Sequence, residues 1–278
     1  MTTSVLITGT SSGIGRATAE RLLRRSDLTV YATARRTEAL RDLAAAGART
    51  LGLDVTDEES MRAAVTQVEA EHGAVGALVN NAGYGEYGTV EETDMDAVRR
   101  QFETNVFGLA RMIQLVLPGM RAAGAGRVVN VGSMGGRLVF PAGGYYHASK
   151  YAVEALSDAL RFEVAPFGVR VSLIEPGLIR TGFENTAAGT LAGSTVESGP
   201  YARLTASVHQ SMAASYESSA VSTTPDVVAR TIEHAITSAR PRGRYVVTPA
   251  AKALVHTRRL LGGRAFDAYL RRSFGAIA

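Results

Sequence analysis

The sequence contains no cysteine and no tryptophan. Without cysteine there are no disulfides, no thiolate zinc ligands and no cysteine nucleophile, a pattern compatible with the cytoplasm. Lysine is nearly absent: of the 30 basic residues 28 are arginine, and only Lys150 and Lys252 are lysine. Asparagine is also scarce, with five residues. No apolar run approaches the ~20 residues that cross a bilayer. The start, Met1-Thr2-Thr3-Ser4-Val5, has no basic n-region and no long apolar stretch, so the expectation is a cytoplasmic protein with no secretory signal and no membrane partner. Collagen-like and heptad repeats are missing. The 30 basic residues against 26 acidic ones leave +4 on 278 residues, and the arginines are scattered, grouped at most in pairs such as Arg24-Arg25 and Arg258-Arg259. That charge is too small and too dispersed for a nucleic-acid groove.

What is present is enough apolar mass for a sizeable core, at 46% hydrophobic residues. Apolar runs at Ser4–Thr8, Leu28–Ala34, Arg49–Leu53, Ala77–Val79, Arg127–Val131 and Val169–Ile174 predict six strands. Between them lie helical patterns at Gly13–Arg25, Thr37–Ala46, from Thr56 to about His72, Asp94–Ala123 and Gly144–Phe167. Thr56 followed by Glu59 has the form of a capping box, and Pro118 is expected to kink or end the regular part of its helix. Strands that alternate with helices pair in parallel, because hairpins cannot join parallel neighbours. Their unbroken apolar runs suit a sheet covered on both faces. The fold class is therefore α/β, a doubly wound parallel sheet of about seven strands, with the seventh at Tyr245–Val247. Residues 182–222, rich in Thr, Ser, Ala and Gly, predict a mobile insertion over the strand ends within a single domain spanning 1–278. Thr224-Pro225-Asp226 then starts another helix, and the tail from Ala250 is helical.

Gly9, Ser11, Ser12, Gly13, Ile14 and Gly15 lie on the turn between the first strand and first helix. Glycine there lets a pyrophosphate approach the backbone, and the helix N-terminus supplies free N–H groups. The second strand ends in Thr33-Ala34-Arg35-Arg36, with no acid to accept from ribose hydroxyls. The guanidinium fork suits a 2′-phosphate, so the cofactor expected is NADP(H), with Arg35 as first choice and Arg36 as second. Asp54-Val55 and Asn80-Asn81-Ala82-Gly83 end the third and fourth strands, at the edge where such sheets bind ligands, with Asp54, Val55, Asn80, Ala82 and Gly83 as the candidate cofactor contacts. Asp54 either accepts from an adenine amino group or is an ordinary acid before the next helix.

Tyr146 and Lys150 stand four apart on one helix, about 400° around and so on one face; Tyr145 and Tyr151 point elsewhere. A phenol is a poor base at neutral pH unless a neighbouring cation favours its anion. Ser133 ends the fifth strand, and Asn105 sits inside a helix where asparagine needs a reason, either a helix-bending hydrogen bond or function. Asn130 is read as stitching backbone.

The order and spacing of the glycine turn, Asn80-Asn81-Ala82-Gly83, Asn105, Ser133, Tyr146/Lys150 and Pro176-Gly177 resemble the short-chain dehydrogenase/reductase family, over residue 4 to about 183. The spacing Gly9–Gly13 resembles its single-domain branch, and the longer C-terminus its retinol- and 17β-hydroxysteroid-dehydrogenase-like members. The resemblance implies a Rossmann fold and a metal-independent oxidoreductase. It implies Tyr146 as proton donor or acceptor and Ser133 as the bond that steadies the substrate oxygen. Lys150 would bind the nicotinamide ribose and lower the Tyr146 pKa, Asn105 would hold a water, and Ile179 and Thr181 would contact the carboxamide. Gly132 replaces a serine that many members carry. A homo-oligomer (dimer or tetramer) is implied through the helices at 94–123 and 144–167; Met112, Leu115, Val116, Val153 and Leu160 fit an interface or the core equally. Phe183, Leu191, Tyr201, Met212, Met134, Leu138, Val139 and Phe140 are candidate walls for a hydrophobic carbonyl or alcohol substrate. The alternative is a non-catalytic dinucleotide-binding sensor of the same fold.

Overall fold

The computed structural model describes residues 2–196 and 198–274. The first half alternates as expected: β1 (Thr3–Ile7), α1 (Gly13–Leu22), β2 (Leu28–Ala34), a 3-10 turn leading into α2 (Arg41–Ala45), β3 (Arg49–Gly52), α3 (Glu58–His72) and β4 (Ala77–Asn80). Then come α4 (Met95–Phe102), a π-helical stretch (Glu103–Gly108), α5 (Leu109–Ala122), β5 (Gly126–Val131), α6 (Gly144–Val164) and β6 (Val169–Glu175). The last part holds β7 (Leu178–Ile179), α7 (Phe183–Ser194), α8 (Ala202–Glu217), β8 (Ser222–Thr223), α9 (Pro225–Thr237), β9 (Arg244–Val246) and α10 (Pro249–Phe274). Seven strands form one parallel sheet in the order β3-β2-β1-β4-β5-β6-β9, and β7 pairs with β8 apart from it.

The strands alternate, and each face buries its own set. Leu6, Tyr31, Leu78 and Val128 face α3, α5 and α6 through Val65, Met112, Val116, Val153 and Leu160. Val5, Ile7, Val30, Val79 and Val129 face α1 and α9 through Ala19, Leu22, Val228 and Ile232. Met112, Val116, Val153 and Leu160 thus belong to the core, with Leu115 partly buried against it. The apolar groups exposed on these helices are others: Phe107, Tyr151, Leu156 and Phe162.

Three local expectations are corrected. The cap of α3 is Asp57, whose carboxylate accepts from Glu59 N and Ser60 N, while the Thr56 hydroxyl donates to Asp54 Oδ1 at 2.8 Å. A carboxylate suits the positive helix end better than a hydroxyl. Of the two outcomes expected at Pro118, an end to the helix is ruled out, since α5 continues to Ala122. Within 182–222, where an irregular insertion was expected, lie the helices α7 and α8, and α7 is tied to the loop after β4: Tyr87 N donates to Thr190 Oγ1 at 3.0 Å, and Ser194 Oγ donates to Tyr87 O at 3.1 Å. A third apolar cluster (Met134, Leu138, Ala251, Val255, Phe266) fastens α10 to the loop after β5.

Candidate active site

The strand order reverses between β1 and β4, and there the carboxyl ends of the strands open into a cavity of about 1670 Å³. Gly9, Ser11, Ser12, Gly13 and Ile14 form one wall. Gly13 has φ +59°, and a Cβ there would also meet Thr181 Cβ at 3.1 Å, so only glycine suits the turn. Ser12 stands at the N-cap of α1 without a side-chain capping bond, which leaves the first amides of the helix available to an anion. A pyrophosphate fits this cradle.

Further along lie Ala34, Arg35, Asp54 and Val55, then Ala82 and Gly83. Arg35 makes no ion pair among the described residues, and Arg36 does not line the cavity. Asp54 Oδ1 accepts from Thr56 N at 3.0 Å and from the Thr56 hydroxyl, so one of its oxygens already closes a turn. Asn80 and Asn81 exchange the expected emphasis. Asn80 is buried away from the cavity, its Nδ2 donating to Asn130 Oδ1 at 3.0 Å, and Asn130 in turn donates to Ser157 Oγ at 2.9 Å. Asn81 lines the cavity, and its Nδ2 donates to Thr8 O at 2.9 Å and Gly9 O at 3.0 Å, bracing the glycine turn. The strand pleat explains the exchange, since neighbours face opposite ways. Gly15 is likewise absent from the wall. It packs against the Gly9 carbonyl and the Asn81 amide, where a side chain would collide.

At the centre are Ser133, Tyr146 and Lys150, all on the cavity wall. Ser133 Oγ accepts from Gly135 N at 3.0 Å, which leaves its proton for another acceptor. Tyr146 and Lys150 share one face of α6, with Lys150 Nζ 6.0 Å from the Tyr146 ring centroid. Both are buried. Burial pushes the Tyr146 phenol up to about 12, opposed by the Ser133 hydroxyl. Burial also brings the Lys150 ammonium down to about 8. The expected lowering of the Tyr146 pKa by Lys150 is therefore not seen. The ammonium donates to the Val131 carbonyl at 3.1 Å, and desolvation weakens its own hold on a proton.

Asn105 lies on the π-helical stretch, behind the wall rather than in it. Its Nδ2 donates to Tyr84 O at 2.8 Å and Ser149 Oγ at 3.1 Å, and its Oδ1 accepts from Tyr84 N at 3.1 Å. The side chain thus clamps the loop after β4. Pro176, Gly177, Ile179 and Thr181 complete the wall.

Of the candidate substrate walls, Met134, Phe140, Phe183 and Met212 line the cavity. Leu191 and Leu138 are core, Val139 is exposed, and the Tyr201 hydroxyl donates to Glu91 Oε2 at 2.5 Å. Sequence reasoning missed His147. Burial holds its pKa down at about 4, so the ring is neutral. Nδ1–H donates to Gly135 O at 2.9 Å and Nε2 accepts from Phe140 N at 3.2 Å, which fixes both ends of the loop that follows Ser133. Tyr87, Tyr216, Leu254, Tyr269 and Phe274 were also missed; they reach the cavity from the loop after β4, from α8 and from α10. The signal available was the aromatic residues in 84–87 and the spacing of aromatics along the tail.

Among the described residues no cluster could hold a metal ion, and no helix is long and apolar enough to cross a membrane. The profile of the short chain dehydrogenase family matches residues 3–190. The chain is similar to the uncharacterized oxidoreductase YbbO of Escherichia coli, at 36% identity over 98% of this chain and 95% of that protein. It is also similar to 3-ketodihydrosphingosine reductase of Bacteroides thetaiotaomicron, at 43% identity over 64% of this chain and 65% of that one, so it spans just under two thirds of that relative's length. Among solved structures, a short-chain dehydrogenase from Streptomyces avermitilis superposes with TM-score 0.80 and 37% identity, covering 100% of this chain and 98% of that one. A Burkholderia phymatum member in complex with NAD superposes with TM-score 0.79 at 28% identity, covering 93% of each chain. The fold and the site define a nicotinamide-dinucleotide oxidoreductase. The chain belongs to the short-chain dehydrogenase/reductase family.

Proposed function

We propose that the protein is an NADP(H)-dependent oxidoreductase that interconverts a ketone and a secondary alcohol on a hydrophobic small molecule. The observation that carries this reading is the convergence of the Tyr146 phenol, the Ser133 hydroxyl and the Lys150 ammonium on the cavity that also holds the glycine turn. The turn, Asp54-Val55, Ala82-Gly83 and Pro176–Thr181 would hold the dinucleotide, which when bound supplies the hydride. Arg35, at the end of β2 with no acid partner among the described residues, would take the 2′-phosphate. The Ser133 proton steadies the carbonyl oxygen of the substrate, and the Tyr146 phenol passes its proton to that oxygen as the alkoxide develops. A phenol raised by burial to about 12 keeps its proton at neutral pH and is suited to donate it. Lys150 supplies positive charge beside the phenolate that remains and a donor for ribose hydroxyls. Asn105 and His147 hold the two loops on which these groups depend. The segment 182–222 covers the substrate, and a second copy of the chain packs against the exposed faces of the helices around Phe107 and Tyr151.

Tyr146→Phe is expected to lower kcat by about 10²–10⁴-fold while dinucleotide binding, read by calorimetry, stays near wild type. Full activity in that variant contradicts the scheme, and absence of any ketone turnover by the wild type despite tight dinucleotide binding would favour the sensor. For the cofactor, Arg35→Asp is expected to raise KM for NADPH by about tenfold or more and that for NADH far less. Equal effects on the two would remove the assignment.

A further inference from the structure

Two phenols in the cavity have no part in the chemistry described so far. Tyr87 stacks on Tyr146, ring centroids 5.5 Å apart and planes inclined by 28°. Tyr216, on α8, stands near enough that an anion on Tyr146 raises its pKa, and the Tyr87 phenol feels both. All three line the same cavity. The backbones of Tyr87 and Tyr216 are anchored, by Thr190 and Ser194 in one case and by the Ser222 hydroxyl at 2.8 Å in the other. Their hydroxyls are not: among the described residues neither makes a hydrogen bond to protein. The surrounding wall is apolar, with Phe183, Met212 and Phe140. Phenylalanine would pack there as well, and neither hydroxyl is sealed from solvent, so both are open to whatever occupies the cavity.

We propose that the Tyr87 and Tyr216 hydroxyls form a second polar subsite beside Tyr146. It takes an uncharged oxygen of the substrate a few bonds from the reacting carbonyl, so the substrate class is an oxygenated ketone such as a β-keto ester rather than a plain ketone. This rests on the ketone-reductase reading above. The charge of the subsite favours a neutral oxygen. Burial raises the pKa of both phenols, which therefore stay protonated and donate. The ionic group facing Tyr216 is the Glu184 carboxylate, whose other role is to accept from Gly182 N at 3.0 Å. A substrate carboxylate at this subsite would meet that charge.

The test compares ethyl acetoacetate with a plain methyl ketone of the same number of non-hydrogen atoms. For the wild type, kcat/KM is expected to favour the keto ester by about tenfold or more, at about three- to tenfold per hydrogen bond. Tyr87→Phe and Tyr216→Phe, which keep the rings, should each lower that ratio, and the double variant should bring it close to one. Equal efficiency on both ketones in the wild type, or an unchanged ratio in both variants, overturns the subsite and leaves the reductase reading in place. If neither ketone is turned over, the reductase reading fails. Calorimetric titration of both compounds into the wild-type and double-variant proteins still reads the subsite: about tenfold tighter binding of the keto ester, lost in the double variant, supports it, and equal affinities overturn it.

Discussion

Lys150 and Glu154 stand one turn apart on α6, both buried, and their surroundings differ in kind. Glu154 belongs to a closed ionic cluster. Its Oε2 lies 2.6 Å from Arg244 Nη2, and Arg244 also reaches Asp158 at 3.1 Å and the fully buried Glu175 at 2.5 Å. Arg137 lies 3.4 Å from the same Glu175. Burial holds both glutamates above the ordinary carboxylate range, and the Glu175 charge pushes Glu154 further up, to about 7. Lys150 has no carboxylate within ion-pair distance among the described residues, only the Val131 carbonyl. One buried charge is answered by the protein itself, whereas the other is left for something the protein binds. Partnership, rather than burial, separates the structural charge from the functional one.

Breaking the closed cluster gives the largest expected effect on stability. Arg244→Met leaves Glu154 and Glu175 buried without the cation they share and is expected to lower the unfolding free energy by about 3–5 kcal/mol, read from urea midpoints at alkaline pH. Because the variant raises both carboxyl pKa values further, and Glu154 already stands at about 7, its deficit should grow as the pH rises above about 7 and fade below it as the acids take up protons. A variant as stable as the wild type at about pH 9 would erase the contrast.

Removing the open charge should act in the opposite direction. Bringing the Lys150 pKa from 10.5 to about 8 costs the fold about 3 kcal/mol at neutral pH, and the hydrogen bond to Val131 returns about 1 kcal/mol. Lys150→Met is therefore expected to gain about 1–2 kcal/mol in stability while ketone reduction falls sharply. The sign follows from proton uptake: between the folded value near 8 and the unfolded value of 10.5, the unfolded chain binds more protons. Wild-type stability thus rises with pH in that window, and its deficit against the methionine variant disappears above it.

The parts of the molecule legible in the sequence are those whose cause is local. The strands appear as apolar runs because both faces of the sheet are covered, and β2 falls where it was expected, at Leu28–Ala34. The glycine turn is legible because a positive φ at Gly13 and a close approach at Gly15 leave no other residue type. Tyr146 and Lys150 are legible because helical geometry alone puts them on one face. The rest depends on packing. The π-helical stretch around Asn105 leaves no periodic trace, and the choice between Asn80 and Asn81 turns on where β4 ends its pleat. In α7 and α8 the small residues blur the helical period, so they read as loop until Thr190 and Ser194 are seen to grip the loop after β4. His147 looks like any neighbour of a tyrosine until its two ring nitrogens meet Gly135 and Phe140.

The scarcity of lysine makes the central claim directly measurable. With only Lys150 and Lys252 in the chain, lysine labelled with ¹³C at Cε gives two NMR signals, and Lys150→Met identifies one of them by its loss. The Lys150 signal is expected to titrate near 8, as befits a buried ammonium without a carboxylate partner. A Lys150 signal that keeps its proton to 10.5 or beyond would mean that the protein itself already satisfies this charge, and the distinction drawn along α6 would fall.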